Sequence, residues 1–121
     1  MSSVYASWTG ERPAVVLMCP VRNVSGVLKR EILLGLEEEG VPVVVREGNG
    51  DAEELGHRAA RLSPLEVGIG LDSQGKAVIH HRKLRRHQPL FTVHLNLRPE
   101  AARTVGTNAA RLVKVVPFKT I

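Results

Sequence analysis

Glu37-Glu38-Glu39 is the sharpest chemical feature of the 121-residue chain. These carboxylates precede Gly40 and Pro42. Such a pair ends a helix, because glycine takes the left-handed cap and proline cannot continue the spiral. The glutamates therefore fall at a helix C-terminus, which already carries a partial negative charge of about half an electron. Each is disfavoured there by about 0.3–1 kcal/mol. Water and salt can absorb that cost. A divalent cation, or a partner's Arg or Lys, would remove it. Carboxylate oxygens suit hard ions such as Mg²⁺. From composition alone a solvated helix end and an ion or partner site both stay open.

The other reactive residue types form weaker patterns. His80-His81-Arg82-Lys83-Leu84-Arg85-Arg86-His87 is the densest basic run. It could meet phosphates, an acidic protein or only solvent, and it has no aromatic residue for base stacking. His80 and His81 point to opposite sides of an extended chain, so they do not share one metal ion. Gly48-Asn49-Gly50 precedes a helix start, where a phosphate could sit. It lacks the third glycine of a dinucleotide fingerprint, and Asp51 and Glu53 would repel the anion. Gly68-Ile69-Gly70 reads as a strand whose small residues admit a close neighbour. Cys19 ends an apolar run with no His nearby and reads as a core residue. No nucleophile is accompanied by a base, so the residues describe a binding module rather than an enzyme.

Positioning these residues requires a sequence of elements. Ala14–Cys19 is a continuous apolar run, as in a strand covered on both faces. Ser25 caps a helix that runs to Glu39, with Leu28, Ile32 and Leu36 on its buried face. Val43-Val44-Val45 reads as a second buried strand. Asp51 and Glu54 resemble a capping box, opening a helix with Leu55, Ala59 and Leu62 inward and Ser63-Pro64 as its stop. Residues 65–71 alternate as a strand, and 72–75 turn the chain into a returning strand at 76–80. Residues 90–93 form another strand. Pro99 and Glu100 suit the start of a last helix, and 113–117 is either its end or a short closing strand. The order β-α-β-α-β-β-β-α predicts an α/β fold. Its alternating first half implies a parallel sheet with helices packed on it, and the hairpin adds an antiparallel strand.

Length and composition bound the rest. The chain suits one domain, with residues 1–12 as a flexible arm bearing Tyr5 and Trp8 and residues 13–121 as the folded unit. Apolar residues make up 43% and charged residues 24%, values of a soluble globular protein that exclude collagen-like or disordered classes. No apolar run approaches the roughly 20 residues that span a bilayer. The N-terminus has no secretion pattern, and one cysteine allows no internal disulfide, so a reducing cytoplasm is expected. The formal net charge is +5. It is polarised in sequence: residues 1–60 carry −3 and residues 61–121 carry +8. Such asymmetry points to charged partners without naming them.

Three stretches resemble a known family. They are Leu33-Leu34-Gly35-Leu36-Glu37-Glu38-Glu39-Gly40-Val41-Pro42, Leu62-Ser63-Pro64-Leu65-Glu66-Val67-Gly68-Ile69-Gly70-Leu71, and Val105-Gly106-Thr107-Asn108-Ala109-Ala110-Arg111-Leu112-Val113-Lys114. Their order and spacing are similar to the small subunit of the reactivating factor for coenzyme B12-dependent diol and glycerol dehydratases, from about Val15 to about Pro117. The medium subunit of the dehydratases is a relative. The compact chain and the lack of an Asp-x-His-x-x-Gly cobalamin motif favour the reactivating factor.

The resemblance implies a three-layer α/β/α domain with a mixed, mainly parallel sheet. It implies a non-catalytic chaperone subunit that pairs with a large, actin-like ATPase subunit in a heterotetramer. That assembly would release damaged cobalamin from the dehydratase, with ATP or ADP held by the large subunit, and this chain would exchange with the dehydratase medium subunit. A cytoplasmic site associated with a bacterial microcompartment goes with it. One residue carries over: Glu38 matches the family's Mg²⁺ ligand at the contact with the large subunit. The basic run 80–87 departs from the family pattern. Two other readings are a medium subunit, or fragment of one, of the dehydratase itself, and a small nucleic-acid-binding domain built on the basic half.

Overall fold

A computed structural model describes residues 12–114. The element order is β1 (Val15–Cys19), α1 (Gly26–Glu38), β2 (Val43–Glu47), α2 (Ala52–Leu62), β3 (Val67–Leu71), β4 (Lys76–His81), β5 (Phe91–His94), a 3₁₀ turn (Pro99–Ala101) and α3 (Ala102–Lys114). The five strands form one sheet in the order β2-β1-β3-β4-β5. β1 pairs in parallel with both β2 and β3, while β3–β4 and β4–β5 are antiparallel. Four strands thus run one way and β4 alone runs back, which is the expected mixed sheet.

The strand order dictates the layers. From β1 the chain steps outward to β2, then back across β1 to β3. Two right-handed crossovers in opposite directions must place their helices on opposite faces. α1 lies on one face, where α3 joins it, and α2 covers the other. Val15, Leu17 and Cys19 pack with Ile32, Leu36 and Val105 on the first face. Val16 and Met18 pack with Leu55 and Ala59 on the second. This is the three-layer α/β/α arrangement.

Local signals act where the residues place them. The Ser25 hydroxyl accepts the Leu28 amide at 3.2 Å, and the Asp51 carboxylate accepts the Glu54 amide at 2.8 Å. Gly40 adopts φ +72°. Its N–H donates to the Glu37 carbonyl at 2.9 Å, and the Val41 N–H to the Leu36 carbonyl at 3.1 Å. These two bonds form a Schellman cap, completed by Leu36 and Val41 in the core. The end of the glutamate-rich helix is therefore a defined point.

One expectation is corrected. Val43-Val44-Val45 is not a buried strand: β2 is a sheet edge, and Val45 is 37% exposed. An apolar run cannot tell a central strand from an edge strand, because pairing partners are not written in it. β3, by contrast, is buried on both faces despite its alternating pattern. Gly68 and Gly70 leave α2 almost in backbone contact with the sheet. A Cβ on Gly68 would meet the Ala60 backbone, and one on Gly70 the Ala52 carbonyl. Residues 1–11 of the expected 1–12 arm, and 115–117 of the 113–117 reading, lie outside the described residues, whereas Val113 and Lys114 belong to α3.

Glycine also sets the crossing of α1 and α3. A Cβ on Gly106 would run into the Ile32 carbonyl, and one on Gly35 into the Arg103 carbonyl. Alanine ordinarily gains about 1 kcal/mol over glycine in a helix. Gly106→Ala is expected instead to destabilise the fold by about 1–3 kcal/mol through overpacking, read as a lower urea midpoint.

Candidate functional site

The α1–α3 crossing brings together residues that lie more than sixty positions apart in sequence. Arg103, in the first turn of α3, grips Glu31 with two prongs: Nε to Oε1 and Nη2 to Oε2, both 3.1 Å. Its Nη1 reaches Glu38 Oε2 at 3.3 Å. At the far end of α3, Lys114 Nζ lies 3.0 Å from Glu39 Oε1 and donates to the Glu39 carbonyl at 2.9 Å. Arg111 Nε stands 3.6 Å from the same carboxylate. Lys114 also places a cation on a terminal α1 carbonyl, where the helix dipole favours one.

The three glutamates are thereby told apart. Glu39 is committed to α3. The hydrogen bond from Lys114 is the largest cause holding its carboxyl below the usual value, with Arg111 adding to it. Glu37 is exposed and has no part in these contacts. Glu38 is intermediate: its side chain is 56% exposed, and its one ion pair among the described residues, to Arg103, uses Oε2. The charge that crowds the end of α1 is relieved chiefly by this chain's own last helix. Sequence reasoning looked for that relief in an ion or a partner. Arg103, Arg111 and Lys114 could have been found by their spacing, which places them along one side of α3 opposite Glu31, Glu38 and Glu39.

Glu38 fits a role as a single ligand. It offers an exposed hard oxygen at a rigidly capped helix end. Among the described residues no group of three or more His, Cys, Asp or Glu could hold a metal ion. A Mg²⁺ ion here would take Glu38 from this chain and its other ligands from water, phosphate or another subunit, a pattern that suits this ion. Arg103 would keep its two-pronged grip on Glu31 if Glu38 turned away.

The remaining candidates resolve as structure. Cys19 is buried, and burial raises its thiol above the ordinary value, as for an unreactive core residue. His80 leaves the basic cluster: its side chain is fully buried. A carbonyl only accepts, so Nε2–H donates to the Arg86 carbonyl at 2.9 Å, while Nδ1 lies 3.1 Å from the His81 amide and 3.2 Å from the His81 carbonyl. His81 instead accepts the Lys83 amide at 3.1 Å. The two histidines do not converge on a metal. Gly48-Asn49-Gly50 leads into the Asp51 cap. With Pro20, Arg22, Asn23 and Ser73, Asn49 and Gly50 line a crevice of about 570 Å³ at the carboxyl ends of β1–β3. Arg22 is its one ionisable side chain, so the crevice lacks an acid–base pair.

His57 of α2 lies 5.0 Å from His80, ring centre to ring centre. Burial lowers its basicity most, followed by the neighbouring His80, Arg61 and Arg86. Unfolding therefore lets this imidazole take up a proton more readily. Stability is fully present above its ordinary value of 6.5 and is lost as pH falls below it. The melting temperature should fall between pH 7.5 and 5.5, and His57→Gln should flatten that slope. At the other site, Arg103→Ala should cost about 1 kcal/mol or less, because the pair is part-exposed. The check is thermal melting at low and high salt.

Comparison with known proteins agrees with this fold. A family described as "Dehydratase medium subunit" matches residues 12–119. The chain is 42% identical to the propanediol dehydratase-reactivating factor small subunit of Salmonella typhimurium, over 90% of this chain and 92% of that protein. It is 43% identical to the diol dehydratase-reactivating factor small subunit of Klebsiella michiganensis, over 78% and 75% of the two chains. Among solved structures it resembles a glycerol dehydratase reactivase with a TM-score of 0.83 and 41% identity, covering 90% of this chain and 98% of the other. It also resembles a chain of the diol dehydratase-reactivating factor complexed with ADP and Mg²⁺, with a TM-score of 0.81, 39% identity and coverage of 90% and 99%.

Proposed function

Given that the chain belongs to the dehydratase medium subunit family, among the small subunits of diol and glycerol dehydratase-reactivating factors, we propose that it is the docking subunit of such a factor. Its relatives carry that name over most of their length, which favours this reading over a medium subunit of the dehydratase itself. In this reading the chain performs no catalysis. A large actin-like ATPase subunit binds and hydrolyses ATP, two copies of each chain form the assembly, and the assembly frees damaged cobalamin from the dehydratase. Among the described residues no helix is long and apolar enough to cross a membrane. A cytoplasmic place, beside a bacterial microcompartment, belongs to the same proposal.

The observation that carries the docking role is the state of Glu38. Glu31 and Glu39 are held by α3, whereas Glu38 is exposed and has, among the described residues, one ion pair at 3.3 Å. A carboxylate so placed can join an ion that the other subunit also ligates. Bound Mg²⁺ would supply positive charge between two surfaces that both carry oxygen ligands. The chain's own part is to hold Glu38 at a capped helix end and to keep Arg103 engaged with Glu31 when Glu38 turns. Kinship with a protein whose solved structure holds ADP and Mg²⁺ supports this reading.

The test is co-expression of the tagged chain with the large subunit. A stable complex is expected in Mg²⁺ and ADP, and chelation should weaken it. Glu38→Ala should lower affinity about tenfold, the effect of losing one charged contact at an interface, while the isolated chain melts as before. Failure to form any complex under these conditions refutes the docking role. Unchanged affinity in the variant removes Glu38 from it.

A further inference from the structure

The connection between β4 and β5 is clamped onto α2 by two imidazoles. Val78 and His80 project from β4 toward α2, where a Cβ on Gly56 would meet the first and touch the second. His57, the next residue of α2, stands 5.0 Å from His80, ring centre to ring centre. Each ring holds one of two successive turns. The Leu84 N–H closes the first turn on the His81 carbonyl at 3.0 Å, and the Leu84 carbonyl accepts from His57. The Gln88 N–H closes the second on the Arg85 carbonyl at 3.0 Å, and His80 Nε2–H donates to the Arg86 carbonyl at 2.9 Å. The two ends of the span are tied separately. The Arg82 amide donates to the Glu66 carbonyl and the Leu90 amide to the Ile79 carbonyl, both at 2.9 Å. No residue from 82 to 90 belongs to either apolar cluster, so the span can open without exposing the core.

The charge around this clamp is mostly of one sign. Arg61 lies one turn after His57 on α2, and the connection itself carries Arg82, Lys83, Arg85, Arg86 and His87. Arg58 is engaged elsewhere, with the Asn49 carbonyl. Lys76 and His94 pair at the other end of β4 and β5. β1 and β3 add no ionisable side chain to this face. The acids along this path are Glu53, one turn before His57, and Glu66, just before β3. A proton added to His57 in the closed clamp meets burial and the charges of Arg61 and Arg86, against the pull of the Leu84 carbonyl. The same proton costs less on a ring in water.

We propose that His57 and His80 form a proton-sensitive latch, which holds the β4–β5 connection against α2 at neutral pH and frees its two turns on acidification while the sheet stays folded. The released His57 ring takes the proton, and the turns carry Arg86 away from it. The anchors at Arg82 and Leu90 keep both ends of the span on the sheet. This is a local opening, distinct from the loss of overall stability in acid, and it does not depend on the docking role. Linkage sets its size. An imidazole of ordinary value 6.5 when open, and kept neutral when closed, makes opening about tenfold more frequent at pH 5.5 than at pH 7.5.

Amide hydrogen exchange of the full chain, corrected for the intrinsic effect of pH on exchange, tests it. Protection of the Leu84 and Gln88 amides should fall about tenfold between pH 7.5 and pH 5.5. Protection of Leu17 and Ile69, in the central strands, should hold. His57→Gln, which can take no proton there, should lose the pH dependence at both turns. A proton NMR titration of His57 in the unaltered chain serves if that variant folds poorly: the ring should titrate below 6.5, over the range in which the turns lose protection. Constant protection at Leu84 and Gln88, or an equal fall in His57→Gln, overturns the latch. A fall shared by Leu17 and Ile69 overturns it too, because the whole domain is then opening. So does a His57 ring that titrates at or above its ordinary value.

Discussion

The close crossing of α1 and α3 is the constraint on which the acidic site depends. Gly35 and Gly106 have no side chain at the point of contact, and each faces backbone of the other helix. That proximity lets Arg103, near the start of α3, reach both Glu31 and Glu38, and lets Arg111 and Lys114, near its end, reach Glu39. A wider crossing would leave three like charges at the negative end of a helix dipole with water as their main counterweight. The packing of two small residues thus decides the electrostatics of a surface.

The same crossing sorts chemically identical neighbours. Glu37, Glu38 and Glu39 differ by about 100° steps around the helix, so only some can face α3. Glu39 turns inward to a lysine and an arginine. Glu38 is tied once, through an arginine that already has a stronger partner. Release of Glu38 would leave Arg103 satisfied by Glu31, so no charge would be stranded. The opposite face shows the same economy of backbone, with Gly68 and Gly70 seating α2 directly on the sheet.

The basic half of the chain divides along a different line. Arg103, Arg111 and Lys114 are structural, because they neutralise α1. Arg82, Lys83, Arg85 and Arg86 lie on turns with no acid in reach among the described residues. His80, which belongs to the same run in sequence, is fully buried and ties that run to the core. Net charge by halves therefore hides three separate jobs.

Much of the architecture was legible in the residues themselves. Ser25, Asp51 and Gly40 mark helix ends through local hydrogen bonds and a positive φ, which need only nearby chain. The β-α-β-α-β start implied parallel pairing because crossovers of that kind have one hand, and the stretches 33–42, 62–71 and 105–114 pointed to the family. What stayed hidden depends on contacts between distant segments. Nothing in Val43-Val44-Val45 says that β2 has a neighbour on one side only. Nothing in His80-His81 says that one ring is buried and the other is not. Residues 103, 111 and 114 become the counterions of residues 31, 38 and 39 only when two glycines let their helices touch. Local rules act over a few residues and can be read from the string. Charge pairing and edge exposure act through space, and the folded chain alone sets those distances.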